Sequence, residues 1–441
     1  MIASKTKFTA LYLFKFKFFS FLTVFFLGFL LIGCGGGSSD NGVGQTTQYT
    51  IKFYDENLDF LYAISAPEGV NTLSGTWYRA NDDLPLTNLD LTNDIRLYAV
   101  QNVQEITTQE ELAAINDDTT TLSGRYILLN DIELDETKEG FDAYYGWLPI
   151  GWYPEFTGIF NGNNYKITNL WINKSSYRYL GFFGQINGGQ IRNLGVEIAD
   201  GRELRGGECI GGIAGDVKYS NITNSYSTGN IRGDNHYVGG IAGEIYSSSV
   251  INSYSTGNII NGNGAIGGIV GMSVSSFIVN SYSTGDVNGN YLVGGVVGQL
   301  INSSVSNSYS TGNINGNDKV GGIVGGVSDD SSPSSTIQNN AAINPQVNGT
   351  TEVNRVVGHI GLGIAENNFA FNMMSVIGTP GGNAGTDKTA DEFKEQSTYS
   401  NAVSGDGDGG LGWKFGDDND NPWKWHADKN NGLPYFYWQE L

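Results

Sequence analysis

Three histidines, two cysteines and a thin scatter of charged side chains make up the chemically reactive stock of this 441-residue chain. A zinc protease needs two histidines one helical turn apart with a glutamate base between them. His236, His359 and His426 are far apart and none is paired. Proton abstraction or delivery on a polysaccharide needs carboxylates and Arg or Lys gathered on neighbouring segments. Between Ser220 and Asn317 the charged side chains are Arg232, Asp234, Glu244 and Asp286, four in 98 residues. The sequence therefore predicts no enzyme, no catalytic residue, no metal site and no cofactor. Arg232-Gly233-Asp234 is a tripeptide that can serve integrin adhesion, but it occurs in one repeat only and reads as loop composition. Asp406-Gly407-Asp408-Gly409 and Asp417-Asp418-Asn419-Asp420-Asn421 offer oxygen ligands for Ca²⁺ without the Gly and distant Glu of an EF-hand, and read as solvated acidic loops.

The elements that must carry these residues announce themselves by repetition. Asn-Ser-Tyr-Ser-Thr-Gly occurs at 224–229, 252–257, 280–285 and 307–312, and a Gly-Gly string with the same step begins at Gly211, Gly239, Gly267, Gly294 and Gly321. A period of 27 or 28 residues means a repeat architecture in which each unit buries its apolar side on the next. Recurring Ile and Val build aliphatic columns, and paired glycines allow corners where a Cβ would clash. The fold class is thus all-β, a right-handed parallel β-helix of about seven coils. An Ile/Val-x-Asn pattern places one Asn per coil at Asn169, Asn193, Asn224, Asn252, Asn280, Asn307 and Asn339. Such a column suits left-handed corners whose amides bond the Asn above and below. Tyr226, Tyr254, Tyr282 and Tyr309 form a second column, either packed or presented to a ligand as an aromatic stripe. Cys209 aligns with Tyr237, Ala265, Leu292 and Lys319, a mixed column that marks a packing position.

Ahead of the repeats, residues 1–33 hold Lys5, Lys7, Lys15 and Lys17, no acidic residue, and an uncharged, largely apolar run from Phe18 to Ile32, which is the composition of a secretory signal peptide. Leu31-Ile32-Gly33-Cys34 resembles the lipobox of bacterial lipoproteins, and residues 34–47 resemble their flexible tethers. That resemblance implies cleavage before Cys34 and its acylation, hence an exported protein whose partner is a membrane, reached through a lipid. Removal of the leader leaves 20 basic against 45 acidic residues, a net charge of −25. Phosphate backbones need clustered Lys and Arg, so a nucleic-acid partner is disfavoured.

Residues 48–102 alternate as a small all-β module. Their strand, acidic turn, Trp77 and closing strand resemble the internalin-type B-repeat, although Asn57-Leu58 stands where that family turns on Gly. Thr107 or Thr108, with Glu110 or Glu111 three residues on, offers a capping box for one short helix. Residues 103–155 read as an N-terminal capping region, 156–345 as the repeats, and 346–441 as further coils and a cap rich in Trp413, Trp423, Trp425, Tyr435, Phe436, Tyr437 and Trp438. The Gly-Gly strings, Leu180-Gly181-Phe182-Phe183-Gly184, Phe156-Thr157-Gly158-Ile159-Phe160-Asn161-Gly162 and the closing Leu433-Pro434-Tyr435-Phe436 resemble proteins with GLUG repeats, bacterial surface proteins mostly without a characterised activity. The reading that follows is a lipid-anchored protein of the outer membrane or cell surface, a noncatalytic β-helix for adhesion or contact with a glycan or surface protein. Its alternative is a β-helix that binds or degrades polysaccharide.

Overall fold

A computed structural model describes residues 48–67, 76–82, 86, 93–328, 335–401 and 409–439. The leader, the tether with Cys34, Glu68-Gly69, and Asp406 to Asp408 of the first acidic loop lie outside the described residues. One coil serves for all. Beginning at Val238 it contributes strands Val238–Gly239, Ala242–Tyr246, Ser249–Ile251, Tyr254–Ser255 and Ile259–Gly262. Each pairs in parallel with its counterpart one period on: Val238 with Ile266, Ala242 with Val270, Val250 with Ile278, Tyr254 with Tyr282, Ile259 with Val287. Repetition of these pairings builds sheets of seven, ten, ten and fifteen strands, a parallel β-solenoid of about eight turns. The β-branched columns fill its interior. Ile222, Val250, Ile278, Val305 and Ile337 succeed one another with no exposed surface, so each coil buries its apolar side only against its neighbours.

The Gly-Gly strings mark where backbone meets backbone. A Cβ on Gly240 would strike the Gly268 carbonyl and the Ser255 hydroxyl, and one on Gly243 the backbone at Cys209 and Ile210. No side chain fits at either position.

Two readings need correction at the amino-terminal end. Ile191 pairs with Phe160, while Ile167 pairs with Val196 on the adjacent face. Asn169 therefore does not belong to the column of Asn193. It occupies a different left-handed corner, at φ 62°, and its amide donates to the Leu134 carbonyl at 2.6 Å. The Ile-x-Asn pattern fails there because any left-handed corner favours Asn, whichever faces it joins. Residues 103–155 also do more than cover an end: Val103–Ile106 and Arg125–Leu128 are the first two strands of a ten-stranded face, and Arg125 pairs with Ile159.

The helix Gln109–Ala113 starts at Thr108, whose hydroxyl accepts from the Glu111 amide while the Glu111 carboxylate accepts from Thr108, a complete capping box. The upstream module is a three-stranded sheet in which Gln48–Tyr54 lies between antiparallel Phe60–Pro67 and parallel Ile95–Tyr98. Leu58 turns its hairpin at φ 65°, the conformation a Gly would adopt there, with its side chain fully buried. The hairpin then docks on the solenoid. The Leu58 carbonyl accepts from Asn161, and Asp59 accepts from Asn193 and pairs with Arg192 at 2.7 Å.

The aromatic carboxyl-terminal segment packs Phe393, Tyr399, Leu411, Trp413, Trp423 and Phe436 into one cluster with Tyr282, Tyr309, Ala341 and Phe369 of the solenoid. It lies along the flank of the solenoid. Trp413 and Trp423 reach the ring of Tyr309, Phe436 that of Tyr282, and Trp438 that of Tyr254, so the segment crosses three coils.

Candidate functional site

Each letter of the repeated Asn-Ser-Tyr-Ser-Thr-Gly string has a separate task. Asn193, Asn224, Asn252, Asn280, Asn307 and Asn339 all take φ between 49° and 58°. From Asn193 to Asn280 the amides form a polarised ladder in which Nδ2 donates to Oδ1 of the preceding coil: Asn193 to Asn161 at 3.1 Å, Asn224 to Asn193 at 3.1 Å, Asn252 to Asn224 at 3.1 Å and Asn280 to Asn252 at 3.0 Å. Asn367 to Asn339 repeats the link at 2.7 Å. The first Ser turns inward and satisfies a corner amide of the coil before it, Ser253 accepting from the Ser225 N–H and Ser281 from the Ser253 N–H. The second Ser packs beneath the Gly-Gly string, and the last Gly passes so close to the preceding coil that a Cβ on Gly257 would collide with the Gly229 carbonyl. Tyr and Thr, two residues apart on a strand, face outward together.

Outward does not mean exposed for all four tyrosines. Their rings stack at 5.0, 5.0 and 4.6 Å with planes within 7° of parallel. Tyr282 and Tyr309, read as candidate ligand contacts, are only 2% and 0% exposed. The carboxyl-terminal segment seals them, and their hydroxyls are engaged by it: Tyr309 donates to the Pro434 carbonyl at 2.8 Å, and Tyr282 accepts from Gln439 at 2.6 Å. Burial raises both phenols well above their ordinary range. Tyr226 and Tyr254 remain half-buried at the wall of a cleft of about 520 Å³ beside Trp438 and Gln439.

Thr228, Thr256 and Thr284 line the same cleft in a column beside the rings, Trp438 and Gln439 close one side, and Lys166 and Glu197 stand at the far end. The Glu197 carboxylate pairs with Lys166 at 3.1 Å and accepts the Tyr226 hydroxyl at 3.1 Å. Burial first, then the Glu197 charge, raises the Tyr226 phenol; burial pushes Tyr254 up to about 12. Both are therefore neutral donors at physiological pH. The cleft offers aromatic faces, hydroxyls, amides, the Lys166–Glu197 ion pair and the Asp131 carboxylate, which accepts from the Lys166 backbone N–H at 3.0 Å, and this is chemistry for holding a polar ring compound. Of its members the sequence marks the tyrosines, Trp438 among the terminal aromatics, and Asn193 and Asn224, these two as parts of the structural ladder. The threonine column was equally legible, because it shares the strand face of the tyrosines; Lys166 and Glu197 carry no periodic signal.

The other marked residues are occupied elsewhere. Cys209 is buried in a left-handed corner at φ 56°, and burial, reinforced by Glu244, raises its thiol so that it stays protonated. Arg232-Gly233 lies in strand Asn230–Gly233, not in a loop, with Arg232 paired to Glu203 at 2.7 Å and Asp234 to Arg205 at 3.1 Å. Asp418 accepts three bonds within its own turn, and Asn419 bonds Asn224 at 2.8 Å. No group of three His, Cys, Asp or Glu suited to a metal occurs among the described residues.

A family model described as the GLUG motif matches residues 234–260 and 289–315. The chain carries GLUG motifs. Each matched stretch holds one Gly-Gly string and one Asn-Ser-Tyr-Ser-Thr-Gly string, so a GLUG unit is one coil, and the unmatched copies take the same place in their own coils. Halomucin of Haloquadratum walsbyi is 33% identical over 128 residues, which is 28% of this chain and 1% of halomucin. A "Putative Gly-rich membrane protein" of Evansella cellulosilytica is 45% identical over 53 residues, 12% of this chain and 6% of that protein. The chain thus spans only a small part of the length of these relatives. A solved structure of a "putative immunoglobulin A1 protease" from Bacteroides ovatus aligns with 77% of this chain and 93% of its own at TM-score 0.50 and 22% identity. That likeness shows a shared fold. Among the described residues no helix is long and apolar enough to cross a membrane.

Proposed function

We propose that this GLUG-unit solenoid is a noncatalytic surface protein, held to a membrane by a lipid on Cys34, that contacts glycans through the cleft beside Tyr226 and Tyr254. The observation that carries the reading is the pairing of two stacked phenol rings with a column of threonine hydroxyls at the spacing of successive coils. Sugars are recognised by such a combination, since a pyranose presents an apolar face to a ring and hydroxyls to its rim. Binding without turnover is supported by the engagement of both cleft carboxylates, Glu197 with Lys166 and the Tyr226 hydroxyl and Asp131 with the Lys166 backbone N–H. Likeness to halomucin and to a Gly-rich membrane protein supports a surface or membrane-associated place.

The test is a glycan array probed with the full chain and with Tyr254→Ala. Wild type should retain one class of polysaccharide without shortening it, and Tyr254→Ala should weaken retention on the order of ten-fold while its circular dichroism is unchanged. No retained glycan, or equal retention by the variant, removes the cleft from consideration. Release of shortened chains from the array would instead favour the degrading alternative.

A further inference from the structure

Away from the cleft, on the early coils, aromatic side chains gather at the surface. Tyr144 is 81% exposed and Tyr153 72%, with Tyr145 and Tyr177 above two-fifths. The rings form a chain: Tyr145 lies 6.3 Å from Tyr177, Tyr177 5.4 Å from Trp152, and Trp152 6.1 Å from Tyr153. Their planes are tilted by 46 to 59°, so they make a faceted surface and not a stack. Within this group sits Lys174, 6% exposed, its ammonium 4.5 Å from the Trp152 ring centre and 5.8 Å from those of Tyr145 and Tyr177.

An ammonium carries three N–H donors. Among the described residues Lys174 Nζ makes no ion pair and no hydrogen bond, although the chain has 45 acidic residues against 24 basic. The neighbouring cations differ: Arg178 is paired with Glu208, and Lys218 with Asp216. Ring quadrupoles compensate part of the lost hydration, and burial still lowers the pKa of the amine, with Asp142 opposing from a distance. A partly desolvated charge with unused donors, ringed by exposed phenols, is a site set for an anion carried on a flat or ring-shaped molecule.

We infer that the Tyr145–Trp152–Tyr153–Tyr177 surface, with Lys174 at its centre, binds acidic sugars, a uronate carboxylate meeting the Lys174 ammonium while pyranose faces lie on the exposed tyrosines. A carboxylate suits a single point charge, whereas a phosphate is better matched by the planar fork of Arg. Tyrosine rims keep hydroxyls for the sugar's own, which a purely apolar partner would leave unpaired. This surface stands apart from the cleft, and the inference does not rest on the glycan reading of Tyr226 and Tyr254.

Titration of the full chain with tetragalacturonate, its carboxyl-reduced neutral counterpart and tetraglutamate, followed by Trp fluorescence and calorimetry, tests the assignment. The uronate should bind at least about ten-fold tighter than the other two. Lys174→Met should abolish the preference for the charged over the neutral sugar. Tyr153→Ala, with its fold checked by circular dichroism, should weaken both sugars, and Tyr254→Ala should leave this binding unaltered. Equal affinity for the acidic and neutral sugars, binding of tetraglutamate as tight as that of the uronate, or undiminished binding by Tyr153→Ala would overturn it.

Discussion

At Asn252 a single amide joins three parts of the chain: it donates to Asn224 at 3.1 Å and to the Asn419 carbonyl at 3.4 Å, and its own oxygen accepts from Asn280 at 3.0 Å. Asn280→Ala breaks the ladder in its middle and leaves a left-handed corner to a residue that resists it, so it should cost about 1 to 3 kcal/mol in urea melts. Asn169→Ala removes one bond to Leu134 outside the ladder and should cost less; equal losses would count against a cooperative column. A second residue-scale consequence concerns Asp216 and Glu244, which pair on adjacent coils beside Cys209. Burial raises both carboxyls, mutual repulsion adds to Glu244, and Lys218 opposes the shift at Asp216. A carboxyl whose folded pKa is raised holds its proton more tightly in the fold than in the unfolded chain. Its contribution is greatest below the unfolded pKa of about 4 and is lost as pH rises through the folded value. Glu244→Gln should therefore gain on wild type between pH 3 and pH 7 in paired denaturant melts, and a gap that widens the other way would refute the assignment.

Among the elements, the coil itself was legible because one coil equals one sequence period, and the inward aliphatics recur with it. The left-handed Asn corners were legible for the same reason, except at Asn169, where a correct local rule met the wrong face. The course of the aromatic carboxyl-terminal segment was not legible. Its residues have no periodic relation to the coils, and nothing in Trp413 or Trp438 says which surface they cover. That course changes what a deletion should do. Removing residues 239–266 rejoins Val238 to Gly267 in register and should preserve parallel β-structure by circular dichroism. The segment anchored at Asn224, Tyr282 and Tyr309 then faces contacts one coil, about 4.8 Å, out of place. Limited proteolysis should cut the shortened protein within residues 390–439 and spare the solenoid. Deleting Gly239 to Asn252 instead sets an Asn-bearing strand against a glycine corner and should lose the β-structure altogether. A half-unit deletion as resistant as the full one would sink the one-coil-per-unit account.

For the molecule as a whole, strong negative charge makes attachment to an anionic bilayer depend on something other than electrostatics. The lipid proposed on Cys34 supplies it. Cys34→Ser should leave the protein unlabelled by a fatty acid and shift it from the detergent phase to the aqueous phase; a labelled, membrane-bound variant would end the lipoprotein reading. The carboxyl-terminal segment bears on the molecule's history as well as its stability. Units of 27 or 28 residues that share their Gly-Gly and Asn-Ser-Tyr-Ser-Thr-Gly strings can be gained or lost whole, and an open solenoid would tolerate either. Here the segment is fastened at Asn224 near one end of its path and at Asn339, through the Trp413 indole, near the other. It fits one spacing between those anchors. The segment thus acts as a gauge of copy number, and descendants that keep it should keep the same count of units between Asn224 and Asn339 even where the sequences of the units diverge.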